Sequence, residues 1–268
     1  MGIFEGKNVV ITGGSDGIGK ALVEQFLESG AKVATCGRSA DKLYQLQLRH
    51  SNRFLHTMVV DVRSETECRE FMESAIRDFG NIDILINNAG ISMRGLFQDT
   101  ALDTLKTVMD VNFWGTVYCT KYALDSIIAR KGVIVGVSSI AGFRGLPGRS
   151  GYSASKFAVN GWLEALRTEL LPTGVNVMWV CPGFTASNIR NAALNEAGQA
   201  QGESPLEEEK LMTAEECARH IVRAIEKRKR TLVMTFQGNE TVWVNKLLPG
   251  LADKLVHKFF FKKGKLVK

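Results

Sequence analysis

At 268 residues, 45% hydrophobic and 23% charged, the chain has an ordinary globular make-up, which excludes disordered, collagen-like and coiled-coil classes and leaves one large α/β domain as the expectation. The net charge of +6 gathers late, around Lys227 to Arg230 and Lys258 to Lys268, and without a recognised module or aromatics interleaved along a basic face no nucleic-acid partner is expected. Cys36, Cys68, Cys119, Cys181 and Cys217 have neither CxxC spacing nor nearby His partners, and no apolar run reaches the ~20 residues of a membrane span, so reduced thiols, no metal and a cytoplasmic location are expected.

In chain order, Met1-Gly2 is not read as a myristoylation signal, because Gly6 stands where that motif needs Ser or Thr. Lys7 to Thr12 predicts a strand, followed by a Gly-rich turn and a helix with Ile18, Ala21, Leu22 and Phe26 on one face, ended by Gly30. Strands at Val33 to Cys36 and Met58 to Val60, a helix over Glu65 to Phe79, a strand at Ile84 to Ile86, a long helix near Leu102 to Ile128 and a strand at Val133 to Val137 continue the alternation. A helix from near Tyr152, a strand at Val175 to Val180, a capped helix from Thr213 through Ile225 and a last strand at Thr231 to Phe236 complete it. Repeated β-α-β with helix-length crossovers predicts an α/β fold with a parallel sheet covered on both faces. Two stretches stand outside the rhythm. Residues 184–212 are too long and polar for an ordinary connector and are expected to form a substrate loop. The tail, 243–268, reads as a basic amphipathic helix broken at Pro249-Gly250. Its apolar face is expected to pack on the body or a second subunit rather than to make peripheral membrane contact.

Directly after the first strand, Thr12-Gly13-Gly14-Ser15-Asp16-Gly17-Ile18-Gly19 has the spacing TGxxxGxG and opens a helix. Glycines there let backbone approach a pyrophosphate, whose charge sits at the helix N-terminus. Further on, Tyr152 and Lys156 are four residues apart, on one side of a helix. A phenol titrating near pKa ~10 works as an acid/base at neutral pH only when a neighbouring cation stabilises its phenolate, and Lys156 offers that charge.

These motifs, with Asn87-Asn88-Ala89-Gly90, Asn112 and Ser139, resemble the short-chain dehydrogenase/reductase family in its single-domain form, in that family's order and separations from about Gly6 to Phe236. The resemblance implies a Rossmann-type doubly wound sheet. It implies Tyr152 as acid/base, Lys156 lowering its pKa and bonding the nicotinamide ribose, Ser139 holding the substrate oxygen and Asn112 helping to hold a water in a proton relay. Gly13, Ser15, Gly17, Ile18 and Gly19 would cradle the cofactor, and Asn88, Ala89 and Gly90 would shape its pocket beside the adenine ribose. Asp61 by its side chain and Val62 by its backbone would meet the adenine ring. Pro182 and Gly183 close the rim, with Thr185 and Ser187 at positions where the family often has Ile and Thr. A homodimer or homotetramer is implied.

The end of the second strand reads Cys36-Gly37-Arg38-Ser39. Enzymes preferring NAD place an acidic residue there. Here Arg38 offers a guanidinium and Ser39 a hydroxyl to a 2′-phosphate, so NADP(H) is expected over NAD(H). The stretch Asn88 to Gly95 is similar to family members acting on lipid-like or steroid-like ketones, and Met93, Leu96, Phe97, Phe143 and Leu146 are candidates for an apolar pocket wall. The expected function is transfer of hydride between NADP(H) and a small-molecule carbonyl or secondary alcohol. The alternatives are a β-ketoacyl thioester reductase and a catalytically silent NADP-binding sensor or scaffold. A sugar-nucleotide epimerase is disfavoured by its different glycine spacing and larger C-terminal domain.

Overall fold

The computed structural model describes residues 2–204, 207 and 211–267. The expected substrate loop therefore lies outside the described residues at 205, 206 and 208–210, the tail at 268, and the opening Met1-Gly2 at residue 1.

Each strand of the sheet is short, and the central ones are apolar on both faces. β1 (Asn8–Thr12) is buried throughout, with Val9 and Ile11 entering one core and Val10 the other. β4 (Ile84–Asn87) and β5 (Val133–Val137) repeat that division, Leu85 and Ile134 facing Val10's side. Period-two alternation between two hydrophobic layers is what a parallel sheet covered on both faces requires. With β2 (Lys32–Gly37), β3 (Leu55–Val59), β6 (Asn176–Cys181) and β7 (Thr231–Val233), the strands run parallel in the order β3-β2-β1-β4-β5-β6-β7. This is the doubly wound Rossmann-type order. The chain reverses direction across the sheet between β1 and β4, which opens a crevice at their C-terminal ends.

α1 (Gly17–Glu28) and α7 (Ala214–Glu226) pack together on one face; α3 (Glu65–Phe79), α5 (Gly115–Ala129) and α6 (Ser150–Glu169) cover the other. The caps are those the sequence encodes. Ser64 Oγ accepts from Glu67 N at 3.3 Å and Thr213 Oγ1 from Glu216 N at 3.1 Å. α2 (Ala40–Arg49), absent from the expected elements, buries Leu43 and Leu46 on one face.

Two expectations are corrected. The long helix near Leu102 to Ile128 is α4 (Leu102–Met109) joined to α5 by one π-helical turn, Asp110–Trp114, in which Gly115 N donates to Asp110 O. The last strand stops at Val233, and Phe236 instead opens α8 (Phe236–Leu247), capped by Thr235 Oγ1 on Gly238 N at 3.0 Å. α9 (Pro249–Phe260) begins at the expected break, because Pro at the first helical position lacks only an N–H that would have no partner there. β8 (Phe261–Lys262) and β9 (Lys265–Leu266) close the tail as a small hairpin. The tail folds back on the 143–149 segment: Asn245 Nδ2 donates to Phe143 O at 3.0 Å, and Arg144 binds both Asn245 and Asp253.

Candidate active site

A cleft of about 440 Å³ opens at the C-terminal ends of the strands, a size suited to a small molecule. Its floor is the turn between β1 and α1. Gly13 (φ +72) and Gly17 (φ +50) sit in the left-handed region that favours glycine. A side chain at Gly19 would bring its Cβ within 2.1 Å of Gly13 O, so the turn folds tightly only with glycine there. Asp16 Oδ1 accepts from Gly17 N at 2.8 Å and holds the start of the helix.

The adjoining strand end is tied to this turn. Thr12 Oγ1 accepts from Asn88 N at 3.1 Å and Ala89 N at 3.0 Å, while Asn88 Nδ2 donates to Thr12 O at 2.9 Å and Gly13 O at 3.2 Å. Behind Gly90, Asn112 is buried in the π turn. Its Oδ1 accepts from Ile91 N at 2.8 Å, and its Nδ2 donates to Ile91 O at 2.9 Å and Ser155 Oγ at 2.9 Å. Asn112 thus stands behind the wall of the cleft rather than in its lining, with its amide engaged by Ile91 and Ser155. A π turn widens the helix locally and is often found at functional sites.

Ser139, at the end of β5, and Tyr152 and Lys156, one helical turn apart on α6, come together in the cleft. Burial pushes the Tyr152 phenol above its ordinary range, while the Ser139 hydroxyl that bonds it and the Arg149 and Arg190 guanidinia pull it down. Lys156 Nζ donates to Val137 O at 2.8 Å and lies 5.6 Å from the centre of the Tyr152 ring. Burial lowers its ammonium to about 8. The cations whose charge lowers the phenol are Arg149 and Arg190, and not the Lys156 to which the YxxxK spacing points.

At the opposite end, Gly37, Arg38 and Ser39 line the cleft with Asp61 and Val62. Arg38 is exposed, and Ser39 Oγ caps α2 through Lys42 N at 3.3 Å. Asp61 is held by Arg63, whose Nη2 donates to Oδ2 at 2.6 Å, and this pairing keeps its carboxyl below the usual range. A Cβ at Gly37 would lie 2.7 Å from Ser15 Oγ, so the Ser15 side chain would have to move.

These features fit a nicotinamide dinucleotide. The glycine turn leaves backbone open where a Cβ would fill the cradle, and Lys156, a buried cation that donates to Val137 O, faces the same cleft. Gly13 to Gly19 would hold the diphosphate, Asn88 to Gly90, Asp61 and Val62 the adenosine side, and Lys156, Pro182, Gly183, Thr185 and Ser187 the nicotinamide side. All of these residues, with Ser139 and Tyr152, line the cleft.

The apolar wall differs from expectation. Of Met93, Leu96, Phe97, Phe143 and Leu146, only Leu146 lines the cleft. Met93 is fully buried beneath it, and Phe97 is 66% exposed. Ile91, Val111, Phe184 and Ile189 supply the wall instead. The 184–212 segment is anchored beside it, Leu194 N donating to Ser92 O at 2.9 Å and Arg94 N to Leu194 O at 2.8 Å. Arg149 and Arg190 went unmarked in the sequence. The first had a signal, lying three residues before Tyr152 and so one turn away at the start of the same helix.

The family model described as short chain dehydrogenase matches residues 7–198. The chain is 34% identical over 258 residues to Dehydrogenase/reductase SDR family member 7B of Mus musculus, covering 92% of this chain and 79% of that one. It is 33% identical over 251 residues to 11-beta-hydroxysteroid dehydrogenase-like 4A of Arabidopsis thaliana, covering 92% and 82%. Its fold is like that of a short chain dehydrogenase/reductase from Burkholderia phymatum solved in complex with NAD, at TM-score 0.81 and 24% identity over 94% of this chain and 96% of that one.

Proposed function

The chain belongs to the short-chain dehydrogenase/reductase family of oxidoreductases, and within it we propose an NADP(H)-linked enzyme that interconverts a lipid-like or steroid-like ketone and its secondary alcohol. The observation that carries this reading is the convergence of Ser139, Tyr152 and Lys156 with the glycine turn in one cleft. A bound nicotinamide supplies or accepts the hydride. Ser139 Oγ and the Tyr152 hydroxyl meet at the reacting end, so the carbonyl oxygen docks against them and, as hydride reaches its carbon, takes the phenolic proton to give the alcohol. Lys156 binds ribose hydroxyls through Nζ. Asn112 keeps Ile91, and with it the wall beside the substrate, in place.

Arg38 and Ser39 at the adenosine end, with no acidic side chain at Gly37, support NADP(H). The apolar wall of Ile91, Leu146, Phe184 and Ile189 supports an apolar substrate body, and the name of the Arabidopsis relative points the same way. Exposed Trp114 and Phe157, on the π turn and α6, support a homo-oligomer built on those helices.

The tail supports a peripheral location at a membrane. Ala252 and Phe260 pack inward, but a second set of its apolar side chains does not: Trp243 is 60%, Leu247 67% and Leu255 51% exposed. Lys246, Lys254 and Lys258 accompany them on the same two helices. An apolar stripe bordered by lysines complements an anionic lipid surface, and peripheral contact there brings the cleft to a lipid-borne ketone. No described helix is long and apolar enough to cross a membrane.

The deciding experiment is a screen of NADPH and NADH oxidation against steroid ketones, long-chain keto lipids and β-ketoacyl thioesters. Turnover confined to the thioesters would replace the substrate class, and NADPH binding without turnover on any carbonyl would favour a silent sensor.

A further inference from the structure

Half-buried guanidinia elsewhere in this protein have polar partners. Arg144 is held by Asp253 and Asn245, Arg167 Nε donates to Val177 O at 2.8 Å, and Arg94 faces Glu203 at 3.8 Å. Arg149 is different. Its guanidinium stacks 5.5 Å from the centre of the Phe260 ring, and among the described residues it has neither a hydrogen-bond acceptor nor an ion-pair partner. It lines the cleft with Tyr152, on whose phenol its charge acts, and Arg94 and Arg190 add positive charge around it. Removing a guanidinium from water without a counter-charge is costly, so an unpaired one at a ligand site is built for an anion that arrives with the ligand.

The cofactor's own anionic groups have other partners, the diphosphate at the glycine turn and a 2′-phosphate at Arg38. What remains is the substrate. We propose that Arg149 binds an oxyanion, a carboxylate or a phosphate monoester, carried by the carbonyl substrate on an apolar body that rests against Leu146 and Ile91. Phe260, from α9, lies against the guanidinium, so the C-terminal tail helps to shape the substrate end of the cleft. This inference rests on the reductase reading for its consequence in turnover but not for the existence of the anion site.

The test has a binding arm and a turnover arm. Calorimetry on the NADPH-loaded chain compares a medium-chain alkyl carboxylate, the alkyl phosphate and the alcohol of equal length, for the parent, Arg149→Gln and Arg149→Lys. The parent is expected to bind at least one anion on the order of ten- to a hundred-fold more tightly than the alcohol, the worth of a charge-assisted pair. Arg149→Gln should erase that ratio, and Arg149→Lys should restore part of it. Whichever anion shows the larger ratio identifies the group. The turnover arm compares kcat/KM for a keto acid and its methyl ester, and the ratio within each variant cancels any general loss of rate. Equal binding of anions and alcohol by the parent, or an anion preference kept by Arg149→Gln, overturns the proposal. If the binding preference holds and neither keto compound is reduced, the anion site stands and the reductase reading is what fails.

Discussion

Asn112 grips the backbone of Ile91 at both ends, accepting from its N–H at 2.8 Å and donating to its carbonyl at 2.9 Å. The clip joins the π turn to the strand end that forms the cleft wall, and it is buried, so cutting it strands both backbone groups. Asn112→Leu should destabilise the fold by about 2–4 kcal/mol, the cost of two unsatisfied buried polar groups. It should also raise KM more than it lowers cofactor affinity. Denaturant unfolding with NADPH titration checks this; a variant of parental stability would mean that Ile91 finds partners without Asn112.

Tyr152 is the one phenol in the cleft, and burial holds it above its ordinary range. Tyr152→Phe should therefore keep NADPH affinity within a few-fold while lowering kcat by about two to four orders of magnitude. Because the raised phenol stays protonated through neutral pH, reduction should be flat up to about pH 8, where Lys156 begins to lose its charge, whereas alcohol oxidation, which needs the phenolate, should climb with pH. Reduction at near-parental rate by the variant would transfer the proton-donor role to another group.

The proposed preference for NADP(H) rests on one exposed guanidinium. Arg38→Leu should weaken NADPH by about ten- to a hundred-fold and leave NADH unchanged. Converting Gly37 to Asp is a poorer test, since the new Cβ would press on Ser15 at 2.7 Å and disturb the phosphate turn itself. Equal discrimination between the cofactors before and after Arg38→Leu would remove that residue from the site.

Much of this was legible in the sequence, and the failures other than α2 have physical causes. α3 over Glu65–Phe79 and β5 over Val133–Val137 match expectation, because each pairs a clear apolar period with end signals. α2 was missed although Leu43 and Leu46 mark an apolar face at helical spacing and Ser39 caps its start. The π turn at Asn112 was invisible because hydrophobic spacing reports which face is buried, not which carbonyl each amide reaches. Every expected catalytic and cofactor-binding residue but Asn112 lines the cleft. Met93 and Phe97 were misplaced because burial within a loop is decided by contacts remote in sequence. The 194–200 turn that covers Met93 is one such contact.

The buried ammonium of Lys156 links folding to pH. Its ordinary value is 10.5 and the folded value about 8, so between these the unfolded chain binds the proton and the folded chain does not. Stability from this group therefore rises as pH climbs from 8 to 10.5, and below 8 burial of the charge costs its full amount, on the order of 3 kcal/mol. The buried thiols Cys36, Cys181 and Cys217, raised to about 12 by burial, act in the opposite sense above pH 9. The readout is consequently the difference between parent and Lys156→Met in denaturant unfolding. That difference should move in the parent's favour across pH 8 to 10.5, and a flat difference would mean that the folded lysine titrates normally.

The tail offers the sharpest test of location. Deleting it would also remove the partners of Arg144 and the ring beside Arg149, so a truncated chain would confound docking with damage to the cleft. Leu247 and Leu255 avoid this, being 67% and 51% exposed. Burying one leucine in the interface contributes about 1.5–3 kcal/mol, and each lysine near an anionic surface adds about 1 kcal/mol. Leu247→Gln with Leu255→Gln should then weaken vesicle binding by roughly a hundred-fold or more with the cleft intact. Full-length protein should co-sediment with vesicles rich in anionic phospholipid at low salt and release as salt rises. It should bind neutral vesicles less. The double variant should stay in the supernatant while retaining NADPH affinity. If the parent itself fails to sediment, and light scattering shows the double variant losing an oligomer that the parent forms, the exposed stripe is covered by a second copy of the chain and the lipid reading is wrong.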